Sequence, residues 1–127
     1  MTYLLDTHVL IWMMEGDERL SHTAKEVIID RDKLLKVSIV SFWEMSIKRS
    51  LGKLTLRHDS ETFWNEAQKQ GLDILNISLD HLICLEKLPF QHRDPFDRLL
   101  IAQAQSEGYT LISNDQKFHH YSIQTFW

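Results

Sequence analysis

Four acidic side chains stand where an apolar segment gives way to a turn or a helix. Asp6 directly follows the apolar run 3–5, and Asp115 follows a later one. Glu44 and Asp97 each fall in the first turn of an expected helix. If the strands are parallel, these junctions share the edge of the sheet where ligands bind in open α/β folds. The pattern therefore predicts that four carboxylates from remote parts of the chain converge.

A cluster of this kind points to metal chemistry. Two carboxylates about 4 Å apart repel by roughly 4 kcal/mol at an effective dielectric constant of 20. No lysine or arginine adjoins Asp6 or Asp115 in the sequence, although Arg98 adjoins Asp97. Divalent cations would offset this repulsion, and hard oxygen ligands suit Mg²⁺ (or Mn²⁺). The predicted metal-binding and catalytic residues are Asp6, Glu44, Asp97 and Asp115.

Three of the four acids also have a purely structural interpretation. Ser41-x-x-Glu44 matches a capping box, and Asp97 falls at the third position of its helix. The helix dipole favours an acid in the first turn. Thr7 is a predicted N-cap, so its neighbour Asp6 would merely help to begin a helix. These alternatives stay open for each residue taken alone.

The elements that would position these acids alternate along the chain. Short apolar or β-branched runs predict strands, at 3–5, 36–40, 72–77, 109–113 and 122–127. Capping residues and apolar faces predict helices between them, at 8–14, 23–30, 42–51, 60–70, 79–88 and 95–107. Alternation of this kind is typical of the α/β class, with a mainly parallel central sheet and helices on both of its faces.

Composition bounds the class of protein. The 127 residues predict a single domain, 1–127, and 43% apolar with 25% charged residues is ordinary for a globular chain. The net charge of −4 argues mildly against a nucleic-acid binder, but a carboxylate metal site itself adds negative charge. Cys84 is the only cysteine, and His119 and His120 lack helical ligand spacing, so zinc is not indicated. The N-terminus does not read as a signal peptide, and the longest apolar run, 9–14, is too short to span a membrane. We expect a soluble, cytoplasmic protein.

Four segments together resemble a PIN domain and, more narrowly, the VapC-type toxins of bacterial toxin–antitoxin pairs. They are Leu4-Leu5-Asp6-Thr7, Ser41-x-x-Glu44, Asp94-Pro95-Phe96-Asp97-Arg98 with the helix that follows, and Leu111-Ile112-Ser113-Asn114-Asp115. The resemblance implies a Rossmann-like three-layer α/β/α sandwich and a metal-dependent ribonuclease with a cognate antitoxin. It also implies a homodimer and, together with the antitoxin, a toxin–antitoxin hetero-oligomer. By that match the four acids form the acidic cluster, and Ser113 falls where the family has a small hydroxyl residue. His8 stands where many members have Asn or Ser.

The predicted reaction is hydrolysis of RNA phosphodiester bonds by a water that the metal activates. Thr7 and Ser113 would position a phosphate or a ligand carboxylate, or else serve in capping and turns. One alternative is a catalytically inactive PIN-like scaffold that only binds partners. Another is a haloacid dehalogenase-like phosphatase, which requires a second aspartate at the position that His8 occupies.

Two further groups of residues are candidates for partner binding. A basic group is predicted to track the RNA backbone, with a solvated helix face as the alternative: Lys48, Arg49, Lys53 and Arg57. An apolar group is predicted to line one groove for an amphipathic antitoxin segment, with packing inside the monomer as the alternative: Trp12, Met13, Trp43 and Ile47.

Overall fold

The first strand of the chain is the middle strand of the sheet. The computed structural model describes residues 1–127 and contains one five-stranded, wholly parallel sheet. Its strands are β1 (Thr2–Leu5), β2 (Leu34–Ser38), β3 (Asp73–Leu75), β4 (Thr110–Ile112) and β5 (Thr125–Phe126). Their spatial order is β3-β2-β1-β4-β5. The predicted parallel sheet is confirmed, and so is the segment at the C-terminus as an edge strand.

Helices cover both faces of this sheet. They are α1 (Thr7–Glu15), α2 (His22–Ile29), α3 (Ile39–Ser50), α4 (Ser60–Lys69), α5 (Leu79–Lys87) and α6 (Pro95–Glu107), with a 3₁₀ helix at Gln116–His120. Successive residues of β1 point to opposite faces. Tyr3 and Leu5 therefore join a core with α1 to α4, while Leu4 joins a second core with α6 and the 3₁₀ helix. The three-layer α/β/α sandwich is confirmed. Across the whole chain, each helix is too short or too polar to cross a membrane.

Strand register brings the sites of interest to one edge. Leu5 at the end of β1 pairs with Val37 of β2 and Ile112 of β4. The next residues along these strands are Asp6, Ser38 and Ser113, and they follow one another across the same carboxyl edge. The backbone N–H of Asp6 extends the β1–β4 ladder by donating to the Ile112 carbonyl oxygen at 3.1 Å.

Two of the predicted helix starts are wrong. β2 ends at Ser38, and its hydroxyl accepts a hydrogen bond from the Val40 N–H at 3.0 Å, so α3 begins before the expected Ser41. Ser41 is consequently the third residue of α3 and caps nothing. The N-cap of α1 is likewise Asp6 rather than Thr7. In both cases the end of the preceding strand fixes where the helix begins.

The N-cap of α4 offers a test of local helix stabilisation. The Asp59 carboxylate accepts a hydrogen bond from the Thr62 N–H at 2.8 Å, which satisfies one of the free donors at the start of the helix. We expect Asp59→Ala to lower the free energy of unfolding by about 1 kcal/mol. Asp59→Asn, which keeps an acceptor, should lose clearly less in urea denaturation. Equal losses would show that the hydrogen bond does not stabilise α4.

Candidate active site

Asp6 lies at the carboxyl edge between β1 and α1, with only 3% of its surface exposed. One carboxylate oxygen, Oδ2, accepts a hydrogen bond from the Ser113 hydroxyl at 2.9 Å. The other, Oδ1, is buried and has no hydrogen-bond partner. Although Asp6 is the N-cap residue of α1, its side chain makes no capping hydrogen bond. The capping alternative for Asp6 is therefore wrong.

Glu44 lies in the second turn of α3, and 2% of it is exposed. The capping-box alternative is wrong here too, because the N-cap, Ser38, lies six residues earlier. Its Oε2 accepts a hydrogen bond from the Lys48 ammonium at 2.6 Å, one helical turn along. Its Oε1 is buried without a partner. Glu44 thus repeats the arrangement of Asp6, with one oxygen satisfied and one free.

Asp97 is presented by the start of α6, which is built as the sequence predicts. Asp94 is the N-cap and accepts hydrogen bonds from the N–H groups of Phe96 and Asp97 at 2.9 and 3.1 Å, with Pro95 at the first helical position. The Asp97 carboxylate does not close a capping box. Its Oδ2 lies 2.8 Å from Nε2 of His92 instead.

Asp115 completes the group from the loop after β4. Its backbone N–H donates to the Ser113 hydroxyl oxygen at 3.1 Å, and its Oδ1 accepts from the Lys117 N–H at 2.9 Å. One ligand atom from each of His92, Asp97 and Asp115 lies within 4.8 Å of the other two. Ser113 therefore links the Asp6 carboxylate to the backbone of Asp115, in the supporting position expected for it.

Burial and the charges of neighbouring acids make two members of this cluster, Asp6 and Asp97, reluctant to ionise. Burial raises the pKa of Asp6 to about 6; the bonds from Ser113 and Thr7 oppose the rise, and the charges of Glu44 and Asp115 add to it. Burial is also the largest cause that raises the pKa of Asp97. The charges of Asp6 and Asp94 raise it further, and the hydrogen bond with His92 opposes the rise. The site thus holds more negative charge than its own surroundings offset.

Arg98 does not supply the missing positive charge. Although it adjoins Asp97 in sequence, its guanidinium donates to the Pro89 carbonyl oxygen at 2.9 Å and lies 4.2 Å from the centre of the Phe90 ring. Lys48 is the cation that contacts the cluster, and the bond to Glu44 raises the pKa of its ammonium.

His92 is a site residue that the sequence analysis did not single out. Its backbone N–H donates to the Tyr121 hydroxyl at 2.8 Å, which holds the 89–93 loop against the 3₁₀ helix. The only sequence signal is its position two residues before the Asp94 N-cap. A single imidazole among carboxylates is not the histidine-rich donor set typical of zinc.

Two hydroxyl groups join the helices that carry the acids. Thr7, the first residue of α1, lies 2.8 Å oxygen to oxygen from Ser41 of α3. Both residues are buried. Thr7 therefore ties the start of α1 to the helix that bears Glu44, and this is the support that its position gives the site.

The predicted basic group does not gather at the acids as a whole. Lys48 contacts Glu44, whereas the Arg49 guanidinium donates to the His58 carbonyl oxygen at 2.7 Å. Arg57 binds Glu15 and the Met14 carbonyl oxygen at the far end of α1, roughly 12 Å along the helix axis from Thr7. Lys53 is exposed in the loop after α3. Of these four residues, Lys48 is thus the one that contacts an acid of the cluster.

The predicted apolar group also divides in two. Trp12 and Met13 line a cavity of about 790 Å³ at the end of α1, beside α2. Trp43 and Ile47 do not line it. Trp43 is half exposed on α3, and its ring centre lies 4.8 Å from that of Phe96. The single groove expected for all four residues is therefore wrong.

The donor set fits a hard divalent cation. Asp6 Oδ1 and Glu44 Oε1 are buried acceptors without partners, and a buried acceptor of this kind is costly unless something occupies it. Oxygen donors from several carboxylates are the ligands that Mg²⁺ and Mn²⁺ prefer.

Comparison with known proteins places the fold. The family model described as PIN domain matches residues 3–124. Ribonuclease VapC22 of Mycobacterium tuberculosis is 27% identical over 117 residues, which cover 91% of this chain and 88% of that protein.

Solved structures show the same fold at low sequence identity. A VapBC2 complex from Rickettsia felis bound to promoter DNA has a TM-score of 0.75 at 15% identity, covering 99% of this chain and 98% of its own. FitAcB from Neisseria gonorrhoeae has a TM-score of 0.68 at 17% identity, covering 99% and 97%. Because the family model spans nearly the whole sequence, the chain belongs to the PIN domain family.

Proposed function

We propose that this protein is a metal-dependent endoribonuclease that acts as the toxin of a toxin–antitoxin pair. The observation that carries the proposal is the pair of buried, unpartnered carboxylate oxygens on Asp6 and Glu44 within an acidic cluster. The similarity to a protein named Ribonuclease VapC22 supports the reaction class. The similarity to solved complexes described as toxin–antitoxin, including one from Klebsiella pneumoniae, supports the biological role.

The four acids would hold the cation, Mg²⁺ or Mn²⁺. When bound, such a cation supplies Lewis acidity to a phosphate oxygen and lowers the pKa of a water molecule. Asp6 and Glu44 would offer the oxygens that have no other partner. Asp97 and Asp115 flank them near His92.

Neighbouring residues of the chain hold these ligands in place. Ser113 orients Asp6 through its hydroxyl. His92 orients Asp97, because its Nε2 lies 2.8 Å from Oδ2 of that carboxylate. Lys48 neutralises part of the charge at Glu44, and its partly exposed ammonium can attract a phosphate. The burial of Asp6 and Glu44 limits competing water.

The two alternatives from the sequence are less well supported. An inactive scaffold has no need for acids placed so that burial and then mutual repulsion raise the pKa of Asp6 and Asp97. A haloacid dehalogenase-like phosphatase lacks support because His8 is exposed at the position where its second aspartate would stand.

The partners would be RNA and a cognate antitoxin. We propose that the antitoxin segment docks at the cavity lined by Trp12 and Met13, because its lining combines apolar residues with charged ones such as Asp17 and Lys25. A homodimer, and with the antitoxin a hetero-oligomer, belongs to the same proposal.

Removal of the metal should abolish RNA cleavage. We expect cleavage of a single-stranded RNA in Mg²⁺ or Mn²⁺, its loss in excess EDTA, and its recovery when the metal is restored. Glu44→Gln, which keeps the shape of the side chain, should lower the rate by about 100-fold or more. Glu61→Gln, on the exposed start of α4, is the matched control and should cleave like wild type. Full activity in EDTA would refute the proposed mechanism.

Removal of charge from Asp6 should stabilise the metal-free protein at neutral and higher pH. Asp6 has a pKa of about 6 in the folded protein, against an ordinary value of 3.8, so between these pH values the folded protein keeps a proton that the unfolded chain loses. The free energy of unfolding therefore falls as pH rises between these values. Asp6→Asn should raise it by roughly 1–3 kcal/mol at pH 8 and hardly at all at pH 4.

Asp17→Asn is the control of opposite sign for this measurement. Hydrogen bonds from Arg19 lower the pKa of Asp17 from its ordinary value of 3.8 to about 2, so at a pH above 3.8 the charged side chain stabilises the folded protein. Asp17→Asn should therefore lower stability at pH 8 in the same urea titrations. If Asp6→Asn instead lowers the free energy of unfolding at pH 8, the Asp6 carboxylate has a structural role.

The docking cavity can be tested by affinity for the antitoxin. The binding partner in this measurement is the cognate antitoxin. Met13→Ala, which removes apolar surface from the cavity, should weaken binding by about tenfold or more. Ile47→Ala lies outside the cavity and should bind like wild type. Unchanged affinity of a folded Met13→Ala protein would place the antitoxin elsewhere.

A further inference from the structure

A chain of hydrogen bonds, buried at its centre, runs from the start of α3 through α6 to α5. Its centre is Gln103 of α6, whose side chain is fully buried. The Oε1 atom of Gln103 accepts from the Ser38 hydroxyl at 2.5 Å. Its Nε2 atom contacts the Asn76 carbonyl oxygen at 3.4 Å and Nδ1 of His81 at 3.3 Å. Both ends of the amide are therefore satisfied.

The direction of every bond in this chain is determined. Nδ1 of His81 accepts from the Ser78 N–H at 3.0 Å, so it carries no proton, and Nε2–H donates to Glu107 at 2.9 Å. The Gln103 amide must then turn its NH₂ group toward His81 and its oxygen toward Ser38. The Ser38 hydroxyl donates to that oxygen and accepts from the Val40 N–H. One orientation of each group satisfies all of them.

This chain connects the two helices that bear Glu44 and Asp97. Ser38 is the N-cap of α3, which carries Glu44, and Gln103 lies on α6, which carries Asp97. The Ser38 hydroxyl bonds to both helices, because it accepts from the Val40 N–H of α3 and donates to Gln103 of α6. The position of α3 is therefore fixed against α6 at the point where α3 begins.

From this geometry we infer that Gln103 is a positioning residue for the metal site: through Ser38 it sets Glu44 against Asp97. The inference rests on the proposed metal-dependent function. A side chain of the same size without polar atoms, such as Met, would fill the same volume, so packing alone does not require an amide here. Ligands of a metal site must be held to within about 0.5 Å by the residues around them. One oxygen of Glu44 has no protein partner to hold it, so the position of α3 must fix Glu44 to within this distance.

The test measures Mn²⁺ affinity by calorimetry in folded variants. Gln103→Met and Ser38→Ala should each weaken binding about tenfold, and Ser38→Thr, which keeps the hydroxyl, should restore it. Ser21→Ala removes the equivalent N-cap of α2, where the Ser21 hydroxyl accepts from Ala24 at 3.0 Å. It should lose stability comparably but bind Mn²⁺ like wild type. Combining Gln103→Met with Ser38→Ala should add little to either change alone.

The outcomes separate this inference from the proposed function. Wild type that binds no Mn²⁺ would refute the metal site itself, and the inference with it. Wild-type binding with unchanged affinity in Gln103→Met and Ser38→Ala would refute the positioning role alone, as would equal weakening in Ser21→Ala. If Gln103→Met does not fold, Ser38→Ala and Ser38→Thr provide the test. Weaker Mn²⁺ binding by Ser38→Ala than by Ser38→Thr would support the positioning role, and equal wild-type affinity in both would refute it.

Discussion

The structure depends on the parallel pairing of β1 between β2 and β4. Leu5, Val37 and Ile112 lie side by side in that pairing, so the next residue of each strand emerges at one edge. Hydrophobic burial on both faces of β1 fixes this register, because a slip by one residue would turn its side chains to the wrong faces. The place of Asp6 is thus a consequence of core packing, although Asp6 itself contributes nothing to that core.

The cluster of acids acts against the stability that the core provides. Burial and like charge raise the pKa of Asp6 and Asp97, so ionisation at neutral pH costs folding free energy. Ser113 and Lys48 offset part of that cost through hydrogen bonds to Asp6 and Glu44. A ligand that binds the folded state alone, such as a divalent cation, would offset more by mass action. The site is therefore an arrangement that the fold tolerates and that a divalent cation would stabilise.

The sequence predicted most of this fold because its signals are local. Apolar runs, an N-cap and a proline each act over a few residues, and together they indicated the alternating elements and the junction acids. The capping box at Ser41 failed because β2 ends where its pairing ends, with Ser38 opposite Leu75 of β3. No local pattern indicated His92, because the residues that hold it lie outside its loop. The Arg98 guanidinium donates to the His92 carbonyl oxygen, and the His92 N–H donates to the hydroxyl of Tyr121, which is distant in sequence.

The acids on α3 and α6 are positioned by different kinds of contact. This difference explains why a local sequence pattern predicts the position of one of them and not of the other. Asp97 follows its own N-cap and proline, so its location at the start of α6 is encoded within four residues. Glu44 lies in the second turn of a helix whose start is fixed by Ser38, and Ser38 is bound to Gln103, 65 positions away. No window of sequence around Glu44 contains that contact. The proposed metal site would need both acids at once, so its geometry would depend on this non-local contact. A substitution far from the acids would then disturb the site without touching them.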